Sequence, residues 1–399
     1  MRAPIARVAG LSTSVIRSFA AQAPAENISL ALGEPGWALP DPAREALQQW
    51  AAASSRCSYG PNQGIPELLS AVGDQTGASS EEILVASGSQ AALFAVVTAH
   101  VEMGDVVAVP DPGFPAYRTL VHLAGGTALT YPLTVDGSLD PATLIEALDR
   151  HTHGGGAPVR MLVLNHPSNP TGGGASHDGL VQVARACEDR DIIVLSDEVY
   201  RELHSGRPQP SLRHVTDAGV VTESVSKAWA APGLRVGWAI GPPHLLAPAR
   251  LVHNAMTTAP ARPSQVAAAA LLRASEHVLA HSRAELDARW DLVDRHAPSW
   301  MRGLARPAAG FYLWAPVPAV DVEPGRWAGG LRDHGGVTVV PGSAFGSAGA
   351  GYIRISVGGP RDELVEGLRR VDAYARASGG RSIRQHATAA SAPGGSGDG

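Results

Sequence analysis

A chain of 399 residues, 44% of them hydrophobic, can bury a large core, and its length predicts two domains or one large and one small. A net charge of −5 argues against a nucleic-acid surface, and no apolar run reaches membrane-spanning length. Two cysteines, Cys57 and Cys187, supply neither a disulfide framework nor a metal-type spacing, which predicts a reducing, cytoplasmic setting.

The opening stretch, "MRAPIARVAGLSTSVIRSFAAQAPAEN", scatters arginines without a continuous apolar segment. It reads as an arm with a short helix, over 1–37, rather than a secretory leader. From about residue 80 to 285, short β-branched runs alternate with alanine- and leucine-rich segments, the pattern of strands and crossover helices in a mostly parallel sheet. The clearest strands are "EILVAS", "DVVAVP", "VRMLVLN", "DIIVLS", "GVVTES" and "RVGWAIG". "SQAALFAVVTAHV" and "HDGLVQVARACEDR" read as helices, and a long helix-rich stretch runs from about Pro263 to His296. After "RPAAG" come "FYLWAPV", "GVTVVPG" and "GYIRISV", with one helix among them and "RDELVEGLRRVDAYARA" behind, a smaller α+β unit that the arm completes. The shifts in pattern place a large domain over 38–287, a small one over 288–377 and a disordered Gly/Ser/Ala tail over 378–399.

Ligands in open α/β sheets bind at the carboxyl ends of the strands, and here those ends are rich in polar groups. "EILVAS" runs into Gly88, Ser89 and Gln90 at a helix start, where free N–H groups favour an anion such as a phosphate. "VRMLVLN" runs into "HPSNPTGGG", "DIIVLS" into "DEVY", and "GVVTES" into "VSK". The lysine of that last segment, Lys227, is the only one in the chain; every other side chain with a fixed positive charge is arginine. A guanidinium stays protonated, whereas a desolvated lysine amine can lose its proton and attack a carbonyl. An anion seat, an amide, a carboxylate, a phenol and a lone lysine thus share one sheet edge.

The segments "GEP", "YGPNQG", "SNPTG", "SDEVY", "SVSKAWAAPGLRVG" and "GYIRIS", in that order, resemble the landmarks of the class I/II aminotransferases of fold type I, over roughly residues 10 to 375. The resemblance implies an α/β large domain with a mostly parallel seven-stranded sheet beside a smaller α+β domain, and pyridoxal 5′-phosphate as cofactor. By the same resemblance Lys227 holds the cofactor covalently and moves the substrate proton, Asp197 pairs with the pyridine nitrogen, and Tyr200 and Asn169 bond the ring's phenolic oxygen. Ser224, Ser226 and Arg235, with the backbone of Ser89 and Gln90, hold the phosphate. Phe114 lies over the ring, where the family more often has Tyr or Trp. Arg354 grips the substrate α-carboxylate, with Asn169 nearby and Gly33 letting the arm approach. Tyr59 reaches the phosphate of a neighbouring subunit, which implies a homodimer with shared active sites. The implied reaction moves an amino group from an L-amino acid to a 2-oxo acid.

A lyase, cyclase or oxidase on the same fold is the enzymatic alternative, since the same lysine, aspartate and arginine serve all of them. A cofactor-sensing regulator would need an added DNA-binding domain, for which the N-terminal stretch is too short. Donor identity stays open: Arg262 could read a second carboxylate, or Trp37, Tyr59 and Phe114 could frame an apolar side chain. His151 and His153, in a glycine-rich loop without nearby carboxylate or cysteine ligands, read as solvated rather than as a metal pair. His166 follows Asn165 at a strand end, facing substrate, cofactor or core.

Overall fold

A computed structural model describes residues 5, 8, 11, 14–53, 56–318 and 324–378. In chain order its strands are β1 (Ile28–Ser29), β2 (Ile83–Ala86), β3 (Val106–Asp111), β4 (Thr127–Pro132), β5 (Val159–Asn165), β6 (Ile193–Asp197), β7 (Val220–Ser224), β8 (Gly237–Ile240), β9 (Tyr312–Pro316), β10 (Val337–Thr338), β11 (Val340–Pro341) and β12 (Tyr352–Ser356). Seven of them form one sheet in the order β2-β8-β7-β6-β5-β3-β4. All neighbours run parallel except β8, which is antiparallel to both β2 and β7.

Helices cover both faces, so β2, β3, β7 and β8 are buried along their whole length, and all of these but β7 are near-continuous apolar runs. The six strands expected here are all present. The seventh, β4, lies on the sheet edge, where burial is confined to Tyr131, so "TALTYP" carries no apolar run to betray it. Tyr131 fixes that edge by donating its hydroxyl proton to Val163 O at 2.9 Å.

A second sheet, β11-β12-β9, is antiparallel and sets Arg354 opposite Trp314 and Val340. The expected single strand "GVTVVPG" is split. Its first half, β10, pairs in parallel with β1 of the arm, and its second half, β11, pairs with β12. The helix-rich stretch after Pro260 is likewise two helices, Arg262–Arg273 and Ser275–His296, because Ala274 leaves helical geometry at φ −97°, ψ 21°.

The arm is tied to the small sheet at several points. Ser356 N donates to Leu30 O at 2.8 Å, and Asn27 Nδ2 to Arg332 O at 2.7 Å. The short helix Val15–Ala21 buries Ile16 in a cluster with Ala31, Val340 and Phe345. Helix Arg361–Ala377 ends at Ser378; the rest of the expected tail lies outside the described residues. Among the described residues no helix is long and apolar enough to cross a membrane.

Leu30 is 1% exposed and packs over Gly367, whose place in helix Arg361–Ala377 leaves room for it. Leu30→Ala should therefore open a cavity between arm and helix and cost about 2–5 kcal/mol, read as a lowered urea midpoint at unchanged slope.

Candidate active site

A cavity of about 750 Å³ opens where the carboxyl ends of the parallel strands meet the arm, β9 and β12. Every residue expected at the site lines it except Tyr59, which stands 86% exposed on the surface of its own chain.

Asp197 forms the floor at the end of β6. It is 5% exposed; its Oδ2 accepts from the Tyr117 hydroxyl at 2.7 Å and its Oδ1 from Thr222 Oγ1 at 3.5 Å. Burial pushes the carboxyl up to about 6, against the opposing pull of Tyr117, the Val199 amide, Thr222 and Lys227. Asn165, one strand over, donates from Nδ2 to Asp197 O at 2.9 Å and accepts the Asn169 N–H at 2.8 Å, so a single amide spaces the carboxylate from the Asn169 turn.

Lys227 rises from the turn after β7. Its Nζ donates to Gly33 O at 2.6 Å and lies 5.7 Å from the ring centroid of Tyr200 and 5.8 Å from that of Phe311. Gly33 has to be glycine, because a Cβ there would overlap the Tyr312 hydroxyl. That hydroxyl shares a 2.8 Å hydrogen bond with the Tyr200 hydroxyl, and burial raises the Tyr200 phenol well above its ordinary value.

The anion seat lies on the other side of the lysine. Helix Ser89–His100 begins at Gly88, with φ 88° and no side-chain cap. Ala91 and Ala92 both donate to Gly88 O, which leaves the N–H groups of Ser89 and Gln90 for a ligand. Arg235, itself in left-handed geometry at φ 53°, packs its guanidinium against Gly88 so closely that a Cβ there would collide with it. Ser224 and Ser226 complete this wall, the Ser226 amide donating to Ser224 Oγ at 3.3 Å.

Arg354 of β12 is 1% exposed. Its Nη1 donates to Asn169 Oδ1 at 2.7 Å and its Nη2 to Ala31 O at 2.5 Å, while Nε is buried without a partner. The guanidinium lies between two aromatic faces, 4.3 Å from the Tyr312 centroid and 4.8 Å from that of Phe345. Phe114 also lines the cavity, packs against the cluster that holds Phe345 and meets Tyr117 edge-on at 5.6 Å.

Of the positions the sequence left open, His166, Arg262 and Trp37 lie outside the cavity wall. His166 faces neither substrate nor cofactor: it is 2% exposed in the core, with Nε2 3.0 Å from Ser196 Oγ, and burial pulls it down to about 3, so it stays neutral. Arg262 is exposed at a helix start outside the cavity wall. Trp37 also lies outside it, its Nε1 bonded to Ser282 Oγ at 3.2 Å and Arg289 stacked 4.9 Å over its ring. His151 is tied to Ala157 O at 2.9 Å, and no metal-type cluster is found among the described residues. Sequence reasoning gave no role to Tyr117, Tyr312, Asn165 or Arg17, all of which line the cavity or bond its walls. Tyr117 closes the segment "PDPGFPAY" around Phe114, a signal present in the sequence without a partner to interpret it.

Residues 25–371 match the family described as aminotransferase class I and II. The chain belongs to that family. It is 27% identical to an aspartate aminotransferase of Pyrococcus horikoshii, over 86% of this chain and 90% of the relative. It is 30% identical to a probable N-acetyl-LL-diaminopimelate aminotransferase of Bacillus subtilis, over 87% and 88%. Among solved structures, the aspartate aminotransferase of Thermus thermophilus with maleate aligns at a TM-score of 0.84 and 27% identity, covering 94% of this chain and 100% of that one. The N-succinyldiaminopimelate aminotransferase of Mycobacterium tuberculosis aligns equally well, at 0.84 and 26%, covering 93% and 100%.

In this aminotransferase the neighbour of Asp197 titrates as well. Glu198 points to the other face of β6, where Oε1 accepts from Ser196 Oγ and Leu212 N, both at 2.8 Å, and Oε2 lacks a hydrogen bond. Burial raises its carboxyl to about 7 from an ordinary 4.5. A folded-state value above the unfolded one means that the folded protein gains stability from this group as pH falls through that window and loses it as pH rises. The melting temperature of Glu198→Gln relative to wild type should therefore climb between pH 4.5 and 7 and level off above; a pH-independent difference would show that the charge is compensated.

Proposed function

We infer that the chain holds pyridoxal 5′-phosphate in this cavity and moves the amino group of an L-amino acid to a 2-oxo acid. The observation that carries the reading is the chain's only lysine, placed within electrostatic reach of a buried carboxylate and beside an uncapped helix start fitted with an arginine. The residues present fit that cofactor: the Ser89 and Gln90 amides, Ser224, Ser226 and Arg235 suit its phosphate, and Asp197 suits a protonated ring nitrogen. When bound, pyridoxal phosphate supplies the electron sink that lets a Cα–H bond break.

The chain's own groups do the rest. The Lys227 amine anchors the cofactor and, once displaced by substrate, takes the proton from Cα. Asp197, whose burial leaves its carboxylate in want of a cation, would pair in its ionised form with the protonated ring nitrogen and keep that nitrogen charged. Because Asn169 Oδ1 is engaged by Arg354, its Nδ2 is the atom free to donate to the ring oxygen, alongside Tyr200. Arg354 orients the substrate α-carboxylate with a planar fork already desolvated. The exposed Tyr59 supports a homodimer in which it reaches the partner's phosphate, and the free, exposed thiol of Cys57 supports a reducing cytoplasm.

At the mouth of the cavity stand Arg17, on helix Val15–Ala21, and Glu34; among the described residues neither has an ion-pair or hydrogen-bond partner for its side chain. An unpaired arginine facing the cavity supports donors that carry a second carboxylate, the feature shared by aspartate and LL-diaminopimelate, for which relatives are named.

Two measurements check these readings. Borohydride should add the cofactor's mass to the peptide that contains Lys227 alone, and an amino acid without acceptor should release one equivalent of 2-oxo acid per site and stop; continued turnover would instead mark a lyase or oxidase. Arg17→Gln should raise KM about fivefold for a dicarboxylic donor and leave KM for alanine unchanged, because an exposed charge-assisted contact contributes on the order of 1 kcal/mol.

A further inference from the structure

Two loops meet beside the cavity, and one buried carboxylate joins them. Asp111, at the end of β3, begins the loop that carries Phe114, and is 6% exposed. The facing loop, 342–349, connects β11 to β12 and carries Phe345, whose ring lies against Arg354. Asp111 Oδ2 accepts from Ser347 N at 3.2 Å and from Ser347 Oγ at 2.9 Å, and Oδ1 accepts from Ala348 N at 3.1 Å. Arg118 pairs with Oδ2 at 3.0 Å and offsets the buried charge. Two residues on, Gly113 N donates to Phe345 O at 2.8 Å. The facing chain passes so close beneath the carboxylate that a Cβ on Gly346, at φ 130°, would overlap Oδ1.

We propose that Asp111 is a positioning residue for substrate: by holding the 342–349 loop it keeps Phe345 against Arg354 and fixes the carboxylate grip relative to the Phe114 side of the cavity. The inference rests on the proposed function. Only a side chain that accepts at both oxygens can hold Ser347 and Ala348 together. Arg354 has an unpartnered Nε, and among the described residues its guanidinium is steadied beyond Asn169 and Ala31 by the Tyr312 and Phe345 faces, so release of Phe345 removes one of the two faces that hold it. The anion seat and Lys227 lie on other strand ends, while Phe114 and Tyr117, which follow Asp111, are seated by their own packing and by the 2.7 Å bond from Tyr117 to Asp197. Loss of the latch therefore frees the 342–349 loop first, so it weakens substrate binding and spares cofactor binding and the proton transfer.

The test is a kinetic double-mutant cycle on the holoenzyme with Asp111→Ala, Ser347→Ala and the double variant, together with cofactor affinity. Asp111→Ala should raise KM for the amino donor about tenfold or more with kcat within about threefold and the cofactor dissociation constant unchanged, the signature of lost uniform binding. Ser347→Ala, which removes one bond and leaves the fold intact, should raise KM about threefold alone and add nothing in the Asp111→Ala background. Asp111→Asn, retaining one acceptor, should fall between. Wild-type KM in Ser347→Ala and Asp111→Asn, or equal losses in cofactor affinity and kcat, would overturn the proposal. A wild-type enzyme that released no 2-oxo acid would instead overturn the functional reading beneath it.

Discussion

Burying the guanidinium of Arg354 constrains the architecture around it. A fully desolvated charge is tolerable only if nearly every donor finds an acceptor or an aromatic face. The acceptors come from places far apart in sequence: Ala31 from the arm and Asn169 from the turn after β5, with Tyr312 and Phe345 contributing their rings from the small sheet. None of these elements can be displaced alone without exposing the others' polar groups. The arm, which has a two-residue strand and a single buried side chain in its first helix, is thus held in place by what it does for Arg354 as well as by its own packing.

The strand period does comparable work at β6. Successive side chains alternate faces, so Asp197 enters the cavity while Ser196 and Glu198 enter the packed layer behind it, where His166, Arg201 and Leu212 N receive them. Both carboxyls are raised by burial, but their surroundings differ in purpose. Asp197 keeps an open side toward the cavity, where a cation would bring its pKa back down, whereas Glu198 is enclosed and its strain stays within the fold.

The groups the sequence made legible are those whose chemistry is local. Lys227 was conspicuous because no other lysine exists, Asp197 because it follows an apolar run, Asn169 because it stands in the "SNPTG" segment, and Arg354 because it interrupts an apolar run; the structure gathers all four around one cavity. What stayed hidden depends on contacts across the chain. Tyr117 reaches Asp197 over 80 positions and Tyr312 reaches Tyr200 over 112, and no local pattern marks either hydroxyl as a partner. Strand β4 was missed because an edge strand needs few apolar residues, and the division between β10 and β11 because a continuous β-branched run gives no sign that its halves pair with different sheets. His166 stayed open for the complementary reason: it stands beside Asn165 in sequence, but one step along an extended chain turns a side chain to the opposite face.

The single reversed strand shows why the anion seat forms where it does. In a purely parallel sheet only strand ends, and the turns that follow them, reach the ligand edge. β8 runs antiparallel between β2 and β7, with Gly237 registered against both Ala86 and Ser224, so it is the beginning of β8 that lies at that edge. Arg235, two residues before Gly237, is thereby delivered between the helix start that follows β2 and the serines that follow β7. Its left-handed backbone turns the guanidinium back toward Gly88, where only a residue without a Cβ leaves space. A parallel β8 would send the same arginine to the opposite end of the sheet. The reversal of one strand therefore places a fixed positive charge beside two unpaired amides, and it does so from a strand buried along its whole length.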